Sequence, residues 1–274
     1  MLHELKHPEG IRSLCVIGCG GTGAALIGGL PYLVQSLAAS GHPGLHVIVA
    51  DGDKVSPVNC VRQPFSQSEI GLYKSIVLVN RVNLFWGLHW RASTHFVTRE
   101  TTGDTDVIVS CVDTSSARLE ILKSPLMQRC KYWLDLGNNS DNGQFVLGQP
   151  NNDRNRHLRS RLPVVSELFP EIVAVDEGKP DDLPSCSAFE ALARQEPFIN
   201  QALAYQALAL LTRLFRHRAI SHHGAFLDIR NGRMTALPVD SGTWARIMAP
   251  QKRRPSGSRA RRRRIPAGAG THTR

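Results

Sequence analysis

Apolar and polar positions fall in blocks that predict a repeating strand–helix order. Residues 12–17 (RSLCVI) are a short apolar run ending at glycines, which predicts a buried strand. Residues 22–39 are apolar and rich in alanine and leucine, predicting a helix with a kink at Pro31. Residues 45–50 (LHVIVA) predict a second buried strand ending at Asp51. Residues 68–85 repeat apolar side chains at helical spacing: Ile70, Tyr73, Val77, Leu78, Val82 and Phe85. Residues 106–112 (DVIVSCV) predict a third buried strand, followed by a helix over 115–129. Near-continuous apolar strands alternating with helices predict a Rossmann-like α/β fold, a mostly parallel sheet with helices on both faces.

The second half changes character. Residues 132–136 and 144–148 predict strands joined by a polar turn, and the polar stretch 150–161 reads as an exposed loop. Residues 176–185 form an acidic, proline-containing loop, and a helix is expected from 187, broken at Pro197 and continuing over 198–217. Residues 225–239 predict a C-terminal antiparallel hairpin whose Asn231-Gly232 pair suits a two-residue turn. Trp86 and Trp90 are expected to pack at the end of the second helix. His217, His222 and His223 are expected on the surface.

The chain has 274 residues and 42% hydrophobic content, enough for a sizeable core. No run of about 18 apolar residues suggests a membrane span, and the first ten residues lack a secretory apolar stretch. The six cysteines include no C-x-x-C pair, so neither a disulfide framework nor a four-thiolate zinc site is expected. A reduced, cytoplasmic, soluble protein is the expectation. The net charge of +10 suggests nucleic acid until it is located. Residues 251–274 carry nine basic side chains and no acid, leaving the remainder at +1. We therefore divide the chain into a nucleotide-binding domain over 1–245 and a basic tail over 246–274, expected to be disordered. The tail could attract phosphates non-specifically; a solvated extension is the simpler expectation.

The chemistry concentrates after the first strand. Gly18-Cys19-Gly20-Gly21-Thr22-Gly23 opens the first helix, whose N-terminal N–H groups and dipole favour phosphate. Asp51 is placed to accept hydrogen bonds from ribose hydroxyls. These two features suit nicotinamide, flavin and ATP-type nucleotides equally. The next stretch discriminates: Asp51, Asp53, Val55, Asn59, Arg62 and Gln63, then Glu69-Ile70-Gly71 and Lys74. A dehydrogenase has no need of this set. A site that moves the α-phosphorus of a triphosphate does. Arg62 offers a planar donor fork, Lys74 a point charge, and Asn59 and Gln63 neutral donors. Asp53 or Asp113 could hold magnesium through oxygen ligands, although Asp53 could equally stabilise a turn.

In these residues the chain resembles the ThiF/MoeB/HesA superfamily, which includes the ubiquitin-activating enzymes. The pieces are G-x-G-G-x-G, D-x-D-x-V-x-x-x-N-x-x-R-Q, I-G-x-x-K, and a strand ending Ser110-Cys111-Val112-Asp113 with Arg118 five residues on. The stretch Pro184 to Glu190, with Gln195 and Asn200-Gln201, resembles the ThiF-type proteins of PRTRC systems. The resemblance implies ATP-dependent adenylation of the C-terminal carboxylate of a small ubiquitin-like or sulfur-carrier protein, with magnesium, in a homodimer. It assigns Gly18, Gly20, Gly21, Gly23, Asp51 and Asp53 to the nucleotide. Asn59, Arg62, Gln63 and Lys74 go to the phosphates, and Asp113 to the metal and acceptor end. Cys186 is the candidate acyl-accepting thiol, against a plain small residue at a helix start. Cys15, Cys111 and Cys130 read as core, and Cys19 as a filler of the glycine turn. Three departures stand out: Arg12 lies too close to the first strand to act as the family's N-terminal arginine, Thr114 replaces the usual asparagine, and zinc-binding C-x-x-C pairs are missing. They leave open a nucleotide-binding scaffold with weakened catalysis; an oxidoreductase is the remaining alternative.

Overall fold

A computed structural model describes residues 1–174 and 196–249. The apolar runs form the strands β2 (Ser13–Ile17), β3 (His46–Ala50) and β5 (Val107–Ser110), and each pairs in parallel with a neighbour. With β4 (Arg91–Ser93), β6 (Tyr132–Asn138), β7 (Asn142–Gly148), β9 (His222–Asp228) and β10 (Arg233–Pro238) they make one eight-stranded sheet. Its order is β4-β3-β2-β5-β6-β7-β9-β10. The first five strands of that order run parallel, and β7, β9 and β10 extend it antiparallel. Short strands β1 (His3–Glu4) and β8 (Ala219–Ile220) pair separately. The chain goes from β2 to β3 and β4 on one side, then returns to β5 on the other. The ends of β2 and β5 therefore flank a topological switch point, where α/β sheets hold ligands.

Helices cover the sheet: α1 (Gly21–Ala39), α2 (Asn59–Arg62), α3 (Lys74–Trp86), α4 (Ser115–Lys123), α5 (Pro125–Arg129), α6 (Val165–Leu168), α7 (Ile199–His217) and α8 (Ser241–Met248). α1 runs through Pro31 as one element and packs along α7. By length and hydropathy α1 could cross a membrane, but 61% of its apolar window is buried inside the fold. Leu26, Ile27, Leu30, Ile108, Leu134 and Phe145 are sealed in one continuous core. Each such side chain contributes about 1.5–3 kcal/mol on burial.

Several expectations are corrected. The helix over 115–129 breaks at Ser124, because Pro125 can start a helix but not continue one. The helix expected from 68 begins at Lys74, after Gly71 turns with φ +91°. The hairpin connection is four residues long, not two, and the Asp228 carboxylate holds it by accepting from Arg230 N and from Asn231 N and Nδ2. The polar stretch 150–161 is not wholly exposed: Asn152 and Asn155 are buried, and their amides donate to the carbonyls of Met127, Cys130, Lys131 and Pro150. Trp90 is buried and Trp86 half-buried, as expected. Helix α8 was not foreseen. The acidic loop with Asp181 and Asp182, the helix from 187, Cys186 and the basic tail beyond 249 lie outside the described residues.

His223 is also corrected, since it is fully buried. Trp244 of α8 donates its indole N–H to Nε2 at 2.9 Å, so Nδ1 carries the proton and donates to Leu147 O at 2.7 Å. Burial lowers its pKa from 6.5 to about 4, and burial lowers that of His3 similarly. The unfolded chain therefore binds protons before the folded one as pH falls. Stability is full above about pH 6.5 and declines as pH falls toward 4. The expected loss at His223 is on the order of 3 kcal/mol. Urea melts at pH 7 and pH 4.5 check this, with a flatter dependence expected for His223→Gln.

Candidate functional site

The glycine turn lies between the ends of β2 and β5. Gly18 has φ +96°, and a Cβ there would sit 2.9 Å from Cys111 O. Gly23 approaches more closely still: its Cβ would meet Gly18 O at 1.9 Å. Gly20 caps α1 and has open space around it, so its backbone faces the cleft. Thr22 fixes the turn from behind, with its hydroxyl 2.8 Å from Oδ1 of both Asn138 and Asn200. A Cβ on Gly21 would meet the Asn200 side chain at 2.5 Å, so the start of α7 closes down on the turn.

Asp51 is buried at the end of β3. Its Oδ2 accepts from Cys19 N and its Oδ1 from Asp53 N at 2.7 Å. Burial raises its pKa, opposed by those two N–H groups and by the Lys74 charge. Each oxygen keeps a further lone pair for a donor in the cleft.

A cleft of about 870 Å³ opens at this point. Gly18, Gly20, Gly21, Asp51, Asp53, Arg62, Gln63 and Asp113 all line it. Three expected members do not: Gly23 packs against Gly18 beneath the turn, and Asn59 and Lys74 are engaged elsewhere. Asn59 Oδ1 instead accepts from Ser56 N and Oγ at 2.9 Å, tying the loop to itself. Lys74 stands behind Asp53: its ammonium is buried and donates to Asp53 Oδ2 at 2.9 Å. Asp53 thus lines the cleft with its carboxylate paired to a lysine. Arg62 is exposed and has no ion-pair partner among the described residues. Gln63 Oε1 is buried with no hydrogen-bond partner, an unmet polar atom in the cleft wall.

Asp113 is exposed in the cleft just before α4. Thr114, the departure from the family asparagine, N-caps α4, its hydroxyl accepting from Ala117 N at 3.2 Å. No cluster of three His, Cys, Asp or Glu suited to a metal occurs among the described residues. Magnesium often binds through one or two carboxylates plus phosphate oxygens and water, and Asp113 fits that pattern. Arg12 lies at the start of β2, the opposite end of the strand from the cleft, its backbone N donating to Asp106. Cys15, Cys19, Cys111 and Cys130 are buried, and burial pushes the thiols of Cys15 and Cys130 up to about 12. Cys60 is half-buried and donates to Ser56 O.

Sequence reasoning missed two members of the wall and one residue buried behind it. Phe96 is largely exposed and lies over Gly52, where a Cβ would meet its ring at 2.7 Å. As a lone aromatic in a polar stretch it carried no signal. Asn138 was hidden in what read as a turn. Asp135, fully buried under Arg118, was legible as the one charge in the apolar run YWLDLG.

A glycine turn at the switch point of a parallel sheet, with an acid ending the adjacent strand and an arginine beyond it, defines an α/β protein of Rossmann type. The chain belongs to the ThiF family, whose model matches residues 11–241. No curated protein gives a significant sequence match. Among solved structures, PaaA is similar with TM-score 0.56 and 16% identity, over 83% of this chain and 64% of that one. MccB from E. coli with ATP is similar with TM-score 0.51 and 12% identity, over the same shares. MccB in complex with N-formylated MccA gives TM-score 0.51 and 15% identity, again over 83% and 64%. The chain thus spans 64% of the length of these proteins, and the likeness is one of fold.

Proposed function

We propose that this chain is an ATP-dependent adenylating enzyme acting on the C-terminal carboxylate of a small ubiquitin-like or sulfur-carrier-like protein. Membership of the ThiF family supports adenylation-type chemistry. The observation that carries the reading is the convergence of Arg62, Gln63, Asp51 and Asp113 with the Gly20–Gly21 turn on one cleft. The unmet Gln63 Oε1 and the open space at Gly20 suit a bound nucleotide. Gly20 and Gly21 would offer N–H groups to phosphate, Asp51 would hold ribose, and Arg62 would neutralise phosphate charge. Bound ATP supplies an α-phosphorus that the acceptor carboxylate can attack, with pyrophosphate leaving. The chain's part is orientation of the two reactants and compensation of growing negative charge. No side chain needs to act as nucleophile in this first step.

The domain limits 1–245, a cytoplasmic homodimer, a PRTRC-type system, magnesium on Asp113 and a thioester on Cys186 all belong to this proposal. A second reading, a scaffold that binds nucleotide without turnover, is favoured by the distance of Arg12 from the cleft and by the pairing of Lys74 with Asp53. Calorimetry and exchange separate the readings. ATP binding at least about tenfold tighter than NAD, with ATP–pyrophosphate exchange dependent on a cognate carrier, is the expected result. ATP binding without exchange would favour the scaffold, and tighter NAD binding would remove both.

A further inference from the structure

Arg118 is the second guanidinium in the cleft wall, and its surroundings differ from those of Arg62. Its side chain is 6% exposed and lies against Asp135, which is 0% exposed. Nε donates to Asp135 Oδ1 at 3.1 Å and Oδ2 at 3.3 Å, and Nη2 donates to Leu136 O at 3.3 Å. Asp135 Oδ1 also accepts from Ser110 Oγ at 2.6 Å, and Ser110 Oγ accepts from Trp133 Nε1 at 2.7 Å. The guanidinium is thus fixed from strands β5 and β6 together. Nη1 has no partner among the described residues. A Cβ on Gly137 would come 2.8 Å from Nη2, so β6 places no side chain over the group.

Stability does not account for this arrangement. A buried ion pair is often no better than apolar residues of the same volume, because desolvation offsets the attraction. Burial indeed raises the Asp135 carboxyl despite Arg118 and Ser110. What the pair provides is aim. Arg62 enters from the chain after β3, and Arg118 lies against β6, so the two flank the switch point from opposite sides of β2 and β5. On the Arg118 side the wall continues with Asn138 and Gln144, neutral carboxamides suited to peptide amides rather than phosphates.

Resting on the adenylating reading, we propose that Arg118 docks the acyl end of a peptide acceptor in the cleft, and that Asp135 is the positioning residue that aims it. The probes are 5′-O-sulfamoyladenosine and its N-glycyl derivative, a stable mimic of an acyl-adenylate, each titrated by calorimetry beside ATP. The wild type should bind the glycyl compound more tightly than the parent. Arg118→Met should weaken the glycyl compound by about tenfold or more and the parent by less than about twofold. Asp135→Asn, nearly isosteric, should move the same ratio in the same direction, with Arg118→Lys failing to restore it because a point charge lacks the fixed fork. Equal weakening of both compounds, or of neither, in variants that melt as the wild type does would overturn the assignment. ATP binding with no acyl preference in the wild type would overturn it alone. Failure to bind ATP as well would remove the adenylating reading beneath it.

Discussion

Arg62→Ala is expected to lower ATP–pyrophosphate exchange by about 10²–10³-fold, equivalent to 2.7–4 kcal/mol of transition-state stabilisation. The size follows from a charge inventory of the cleft. Asp51 and Asp113 line it without an ion pair among the described residues and repel a triphosphate, whereas Asp53 and Glu120 line it paired with Lys74 and Arg99. Lys74 is neutralised by Asp53, and Arg118 by Asp135. Arg62 is therefore the cation in the wall with no ion-pair partner among the described residues. Its removal leaves Asp51 and Asp113 without a free cation opposite them in the wall. Because the side chain is exposed, the melting temperature should barely move, as surface changes stay within about 0.5 kcal/mol. Arg62→Lys should recover only part of the loss, since a point charge cannot present two parallel donors. Exchange at the wild-type rate in Arg62→Ala would end the proposed role.

The inner parallel strands β2, β5 and β6 were legible because they are buried on both faces and read as apolar runs, and β3 read the same way although His46 and Ile48 are exposed. The edge strand β4 (Arg91–Ser93) and α8 were not, because neither carries a periodic pattern: β4 is short and polar, and α8 buries Trp244 alone. His223 and Asn152 were misjudged for a common reason. Polar side chains go inside when a specific backbone carbonyl awaits them, and sequence does not reveal where those carbonyls lie. The same holds within the site. Residue spacing brought the glycine turn, Asp51, Arg62, Gln63 and Asp113 to one cleft. It could not foresee that Asn59 would spend its carbonyl oxygen on Ser56, or that Asp53 would stand between Lys74 and the opening. Those outcomes are set by loop closure at distances of a few ångström, below what a motif encodes.

Gly23→Ala should be the most destabilising single-methyl change in the glycine turn, costing about 4 kcal/mol or more. The added Cβ would fall 1.9 Å from Gly18 O, an atom of the main chain rather than a movable side-chain end. Gly18 has no room to retreat. Its N–H donates to Ala50 O at 2.9 Å, and its own α-carbon faces Cys111 O closely enough that a Cβ would sit at 2.9 Å. Either the turn opens or the first turn of α1 unwinds. A fall in melting temperature of roughly 8–16 °C follows for a domain of this size. Two controls separate this structural role from nucleotide binding. Gly28 lies exposed on the same helix with open space around it, so Gly28→Ala should be neutral or gain about 0.5–1 kcal/mol. Gly20 also has open space and already adopts extended backbone at φ −67°, so Gly20→Ala should melt normally yet weaken ATP binding by crowding the phosphate approach. The two glycines three residues apart thus carry separable duties, one against the fold and one against the ligand. Unchanged melting of Gly23→Ala, or normal ATP affinity in Gly20→Ala, would refute that division.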